Sequence, residues 1–368
     1  MAQHSNHADI IVIGGGIAGI SAAAELARDA HVLVLERESR IGYHSTGRSA
    51  AIYIRNYGNA TLRAINAVAE PGLVTPEGVS DFSLLSPRGE LMVATEAEMD
   101  TFQSYIEGSV GVDCLTSAEA VDLVPILRPE PIAAALYERD AQGIDVDRML
   151  QGYARLLKTR GGRIQPDAPV TQLRHDGVWH ITAGGQDYSA PIVVNATGAW
   201  ADHVADLACV ARIGLQPMRR SAAIIPSPEG HDIRNWPLFG SISETWYAKP
   251  DAQQLMVSPA DQDPVEPMDA WPDDMVLAEG LHRFSEAVTV PVTRVTHSWA
   301  GLRTFAPDRT PVVGFTPQSN GFFWLAGQGG YGVQTAPALA RLCAALITAQ
   351  DAPLSSDVIH ALSPIRFA

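Results

Sequence analysis

An apolar run, Ile10-Ile11-Val12-Ile13, breaks into Gly14-Gly15-Gly16-Ile17-Ala18-Gly19 and resumes as an Ala-rich segment; a second apolar run, residues 31–35, stops at Glu36. This order reads as strand, glycine turn, helix, and a strand ending in an acid. Each part of the pattern suits a different piece of an ADP-containing cofactor. Gly14 makes the tight turn, Gly16 lets backbone approach a pyrophosphate, and Gly19 lets helix and strand pack closely. Glu36 is placed for ribose hydroxyls, which favours NAD or FAD over NADP. The helix start after Gly16, with Ile17 and Ala18 in its first turn, offers unpaired N–H groups and a dipole suited to the diphosphate.

The rest of the chain departs from a simple nucleotide-binding repeat. After Glu36 comes a polar, glycine-punctuated stretch, residues 42–50, suited to lining an extended ligand. Residues 82–93 read as a hairpin turning at Pro87-Arg88-Gly89, residues 96–108 and 117–124 as helices, and 133–137 as a strand. An amphipathic helix is expected over 147–159 with Asp147 at its start. Strands follow at 169–173 and 179–182, and a buried strand at 192–195 runs into a glycine turn and a helix near Asp202. From 218 to 294 short Pro-rich strands suggest an antiparallel sheet. The chain closes with a strand at 321–327 and a Gly-rich turn opening a helix through Leu346. No repeat or low-complexity tract is present.

At 368 residues two domains are the natural expectation. Cys114, Cys209 and Cys343 are too few and too widely spaced for a disulfide framework or a C-x-x-C metal site, so no metal is expected. The polar amino-terminal ten residues have no basic n-region leading into an apolar core, so no signal peptide is expected. The stretch 10–27 fits a buried strand and helix better than a membrane span. A formal charge of −15 disfavours binding to a phosphate backbone, so nucleic acid is excluded as a partner. Only Lys158 and Lys249 are lysines, leaving few candidates for Schiff-base chemistry. The expected location is cytoplasmic, with peripheral association at the inner membrane as the alternative.

Taken together, the amino-terminal fingerprint, Asn195-Ala196-Thr197-Gly198-Ala199-Trp200, Ala306-Pro307-Asp308-Arg309-Thr310-Pro311 and Gly327-Gln328-Gly329-Gly330-Tyr331-Gly332 resemble the FAD-dependent D-amino acid oxidase and sarcosine oxidase superfamily. Residues 42–51, Leu84-Leu85-Ser86-Pro87-Arg88, Arg219-Arg220-Ser221-Ala222, Tyr247-Ala248-Lys249-Pro250-Asp251 and Trp299-Ala300-Gly301-Leu302-Arg303 look most like the bacterial D-arginine dehydrogenase branch.

The resemblance implies an α/β fold, a discontinuous Rossmann-type FAD-binding domain (1–80, 141–210 and 299–368) with an antiparallel-sheet α+β substrate domain (81–140 and 211–298). It implies noncovalent FAD, held by Gly14, Gly16, Ile17, Ala18, Gly19, Glu36, Arg37, His44, Ser45, Thr46, Arg48, Ser49, Ala50, Val170, Ala196, Gly198, Trp200, Gly301, Gly329, Gly330, Tyr331, Gly332 and Gln334. In the covalent branch a cysteine lies just upstream of the T-P-D-like segment, where this chain has Gly301-Leu302-Arg303. His44 and His297 remain formal attachment candidates.

The resemblance also implies oxidation of a D-amino acid, basic or of broad range, to the imino acid, with hydride passing from Cα to flavin N5. Arg220 and Arg303 match the carboxylate grip, for which a guanidinium fork is suited. Tyr57 and Tyr247 match the hydroxyls that complete it, Glu90 the acid meeting a basic side chain, and Gly330 the carbonyl near the amine. Tyr53 and Trp246 beside them read as core. Where that branch has a histidine near the amine, this chain has Ile52, which keeps open an N-methyl or cyclic secondary amine such as sarcosine or proline, or a 2-hydroxy acid. The electron acceptor, a quinone, another carrier or O2, is not fixed by these residues.

Overall fold

The computed structural model describes residues 6–367, so residues 1–5 of the polar amino-terminal stretch lie outside the described residues. Its organising element is a six-stranded sheet ordered Val312–Phe315, Phe322–Ala326, Ile192–Asn195, Ile10–Ile13, Val32–Leu35, Arg163–Gln165. Neighbours run parallel except at the edge, where Val312–Phe315 lies antiparallel to Phe322–Ala326. The central strands are continuous apolar runs because both faces are covered. On one face pack helices Ile17–Leu26, Val146–Thr159 and Gly332–Thr348. The other face is closed by the antiparallel strands Val170–His175, Trp179–Ala183 and Gln186–Ala190 with helix Ala201–Leu207. Trp179, Phe322 and Trp324 are fully buried there, each contributing roughly 1.5–3 kcal/mol by leaving water.

The second body is a ten-stranded sheet ordered Gln328–Gly329, His297–Phe305, Gln216–Pro226, Gln254–Ser258, Tyr247–Asp251, Leu238–Ser241, Glu90–Ala94, Ala134–Glu138, Val112–Leu115, with Asp263–Pro264 paired beside Gln216–Pro226. It is antiparallel apart from the Leu238–Ser241 and Glu90–Ala94 pair. The α/β expectation therefore holds, with a parallel sheet built from separated segments and a largely antiparallel second sheet. The expected boundary at 298/299 falls inside strand His297–Phe305, which belongs to the second sheet.

Three local expectations are corrected. Residues 82–93 do not form a hairpin: Leu85–Pro87 pairs with Gln142–Ile144, whereas Glu90–Ala94 pairs with Ala134–Glu138. Gly89, at φ +78°, turns the chain out of one sheet and into another, with Arg88 and Gly89 both donating to the Ala141 carbonyl. The helix expected to start at Asp147 starts at Val146 and is capped, two residues before Asp147, by Asp145, whose carboxylate accepts from Arg148 N. The Pro-rich region contains an 11-residue strand and the helix Asp274–Ala287, capped by Asp273. Helix Ala60–Val74 also forms, capped by Asn59 accepting from Leu62 N. No helix among the described residues is long and apolar enough to cross a membrane.

Candidate active site

A cavity of about 960 Å³ runs from the glycine turn to the face of the ten-stranded sheet. At its first end the backbone leaves no alternative to glycine. Gly14 has φ +111°, and a Cβ there would lie 2.4 Å from the Ala196 carbonyl oxygen; one at Gly19 would lie 1.9 Å from the Gly14 oxygen. Gly19 thus stands behind the cavity wall and sets the helix-to-strand distance.

Gly16 opens helix Ile17–Leu26 with no side-chain cap and no acid in the first turn. Thr46 accepts from Ile17 N at 3.0 Å, which leaves the other terminal N–H groups for an anion. Glu36 lies across the turn and accepts from Gly15 N at 2.6 Å and Glu38 N at 2.8 Å. Burial raises its pKa, partly offset by those N–H donors. His44 bonds Glu38 at 2.9 Å and packs against Trp200, over which the Arg37 guanidinium also sits.

The cavity wall continues through Ser45, Thr46, Arg48, Ser49 and Ala50, past Val170, Ala196, Gly198 and Trp200, to Gly301, Gly329, Gly330, Gly332 and Gln334. Ser45 donates to the Leu302 carbonyl and Arg48 to those of Ala270 and Ala300, tying the polar stretch to the second sheet. Tyr331 does not line the cavity; its ring packs edge-on against Tyr57 and Phe305. Cys114 and Cys209 are exposed and Cys343 is buried, and none of the three lines the cavity. His297 is exposed and stacks on Trp299, also off the wall.

At the far end the ten-stranded sheet delivers two cations from neighbouring strands, with Met218 opposite Arg303 and Arg220 opposite Gly301. Arg303 donates to the Tyr57 hydroxyl at 3.3 Å. Burial works against its charge, but Tyr57, Tyr247 and Glu244 outweigh that and hold its pKa above the ordinary guanidinium value. Burial likewise pushes the Tyr57 phenol up, with Arg303 opposing. Arg220 is 8% exposed and donates through Nε to the Asp261 carbonyl at 2.8 Å; its guanidinium lies 5.9 Å from the Tyr247 ring centroid. Its Nη2 is buried without a hydrogen-bond partner, the nearest carboxylate being Glu244 at 3.7 Å. Gly330 abuts this end: a Cβ there would lie 3.0 Å from Arg303 Cζ. Ile52 forms the adjoining wall.

Glu90 does not join them. It is buried off the cavity, opposite Glu138 in the sheet, with Tyr105 donating at 3.4 Å. Burial, reinforced by the Glu138 and Glu244 carboxylates, pushes its pKa well above the usual carboxylate range. An acid enclosed off the cavity is poorly placed to meet a cation in it. Tyr53 and Trp246 are core residues, as their sequence setting suggests.

Two residues escaped the sequence reading. Glu244 reaches the arginines only because its backbone takes φ +50° in the turn before Tyr247–Asp251. Gln328 lines the cavity with a buried Nε2 that has no partner; its place within the quoted glycine motif was the available signal. The glycine cradle, the open helix start and this unpaired amide fit an extended, phosphate-bearing, hydrogen-bonding ligand such as FAD.

Comparison with known proteins agrees with that fit. The family model described as "FAD dependent oxidoreductase", DAO, matches residues 9–346. The chain is 24% identical to the glycine oxidase of Geobacillus kaustophilus over 368 residues, covering 93% of each. It is 23% identical to human mitochondrial dimethylglycine dehydrogenase, covering 99% of this chain and 45% of that one. The crystal structure of L-proline dehydrogenase from P. horikoshii superposes with a TM-score of 0.84 at 23% identity, covering 99% of this chain and 98% of the other. With the family model spanning nearly the whole described chain, this protein belongs to the DAO family of FAD-dependent oxidoreductases.

Proposed function

We propose that this enzyme oxidises a small α-amino acid, with a primary or secondary amine, to the corresponding imino acid. The observation that carries the reading is the buried, unpartnered Nη2 of Arg220 set beside the Arg303–Tyr57 pair. An unpaired guanidinium donor out of water is costly, and a substrate carboxylate satisfies it. FAD, bound noncovalently, supplies the oxidant, accepting the electron pair and hydrogen removed from Cα.

The chain's own residues bind and orient. On this reading Arg303 and Arg220, supported by the Tyr57 and Tyr247 hydroxyls, fix the carboxylate, and the Gly330 carbonyl accepts from the amine. Ile52 offers that amine neither a lone pair nor a proton, so the proton lost before oxidation goes to solvent. Rate enhancement on this reading comes from positioning and electrostatics.

Substrate size follows from the wall. Ile52 packs against the cluster that holds Tyr105 and Met92, and Glu90 lies off the cavity. This supports the glycine-, sarcosine- or proline-like class over a long cationic side chain. The second reading, a basic D-amino acid as in the D-arginine dehydrogenase branch, rests on the sequence resemblance, since Glu244, 3.7 Å from Arg220, lies off the cavity wall as Glu90 does.

Anaerobic bleaching of the flavin separates these readings. Glycine, sarcosine, proline of either hand, D-arginine, D-lysine and 2-hydroxy acids are mixed with the enzyme in turn, and rapid loss of yellow colour with the first three is the expected result. Bleaching by D-arginine alone moves the assignment to the second reading; bleaching by none of the amino acids overturns both. Peroxide release in air then reports whether O2 is the acceptor. For Ile52→His the expectation is a new ionisation near the usual histidine pKa of about 6.5 in the pH profile of kcat/KM; a profile unchanged from wild type means residue 52 does not face the amine.

A further inference from the structure

Lys249 lies on strand Tyr247–Asp251 with its side chain on the same face as that of Tyr247, two residues away. Its ammonium donates to the Ala50 carbonyl at 2.5 Å. Among the described residues no carboxylate oxygen lies within 4.0 Å of it, so this charge is partly buried with a single neutral acceptor. Such an arrangement is unfavourable unless the contact does something, and desolvation lowers the amine's pKa.

The acceptor sits in an unusual stretch of backbone. Ser49, Ala50, Ala51 and Ile52 all line the cavity, and Ala51 takes φ +57°, a conformation a β-carbon disfavours. From the neighbouring region of the same sheet Trp299 donates its indole N–H to the Arg48 carbonyl at 3.2 Å. On the far side Ile144 N donates to the Ala51 carbonyl at 2.8 Å, and Ile52 pairs with Gly143. The segment is therefore drawn toward the ten-stranded sheet by two side chains while its end is fixed in a small sheet behind it.

We propose that Lys249 is a positioning residue that sets the width of the substrate end of the cavity, holding the strained 49–52 segment, and with it the Ile52 wall, through the Ala50 carbonyl. The hydrogen bond crosses the space between two sheets, so its loss lets the Ala51 turn relax and Ile52 withdraw. This inference rests on the amino-acid reading above for its kinetic consequence, but its structural consequence is read without substrate.

The test uses the FAD-loaded enzyme and the variants K249M and K249R. Trypsin reports the segment directly, because Arg48 immediately precedes it. In the wild type that bond is protected, since the Arg48 guanidinium is occupied by Asp269, Ala270 and Ala300. Cleavage after Arg48 is expected to be at least tenfold faster in K249M and near the wild-type rate in K249R. On the kinetic side, K249M is expected to raise KM for the smallest substrate about tenfold with a smaller change in kcat. The ratio of kcat/KM for a bulkier amino acid over that substrate should rise by a similar factor.

Should K249M not accumulate as folded protein, K249Q, whose donor is too short to reach Ala50, takes its place with the same expected result. Unchanged cleavage after Arg48 overturns the proposal. Faster cleavage with an unchanged substrate ratio overturns the claim that the segment sets cavity width. If the wild type bleaches with no amino acid, the functional reading fails by itself, and the proteolysis still decides whether Lys249 holds the segment.

Discussion

Arg303→Ala should purify yellow and turn over almost no substrate. The side chain is enclosed, is held by the Tyr57 hydroxyl, and keeps its charge against desolvation through Tyr57, Tyr247 and Glu244. Removing one arm of a dry ion pair with a carboxylate costs about 2–5 kcal/mol. At about 1.4 kcal/mol per factor of ten, that is a loss of roughly 30- to several-thousand-fold in kcat/KM. Steady-state kinetics at saturating FAD measures it, alongside the visible spectrum, which should keep the bound-flavin shape. Arg220→Ala should behave similarly, because its Nη2 awaits the same partner. Wild-type kinetics in both variants would remove the carboxylate grip.

Gly14→Ala should yield colourless protein. A Cβ at residue 14 would sit 2.4 Å from a backbone oxygen, which cannot move aside as a flexible side chain could, and φ +111° is strained for any L-residue. The strain alone is of order 1–3 kcal/mol, before the clash with the Ala196 carbonyl. The expected result is loss of stoichiometric flavin absorbance together with a lower urea midpoint. A variant that retains a full complement of FAD and wild-type stability would show that the turn tolerates a side chain and that its glycine is incidental.

The nucleotide end was legible because its constraints are local. A strand, Gly14, Gly16, Gly19, a helix and Glu36 fall within 27 residues, and each residue's role follows from backbone sterics at short range. The antiparallel character of the second sheet was also readable from its Pro-rich strands. What failed depended on partners distant in sequence. Leu85–Pro87 and Glu90–Ala94 flank a good turn, yet their hydrogen bonds go to Gln142–Ile144 and Ala134–Glu138 in different sheets. Glu90 sits in that second pairing, and its place opposite Glu138, off the cavity, could not be read from its hairpin-like surroundings.

Helix Asp274–Ala287 was hidden by neighbouring prolines, although Asp273 before an acidic first turn is a cap signal. Asn59, which caps Ala60–Val74, is another. Glu244 carries no motif, and Lys249, although inside the quoted Tyr247–Asp251 segment, has nothing beside it in sequence that points to its partner. One reaches the arginines through an αL turn and the other through a bond to residue 50, nearly two hundred positions away.

The two clamp arginines stand on adjacent antiparallel strands, Gln216–Pro226 and His297–Phe305, locked in register from Gln216↔Phe305 to Ile224↔His297. Their spacing is therefore fixed by a ladder whose halves are some eighty residues apart. Closing so long a loop is entropically slow, so the anion-gripping end should be among the later parts of the molecule to mature, after the compact glycine-turn unit near the amino terminus. A polypeptide interrupted between those strands, for example at the exposed Glu229-Gly230 pair, would leave each guanidinium on a separate fragment, and neither fragment could grip an acid until the two reassociated.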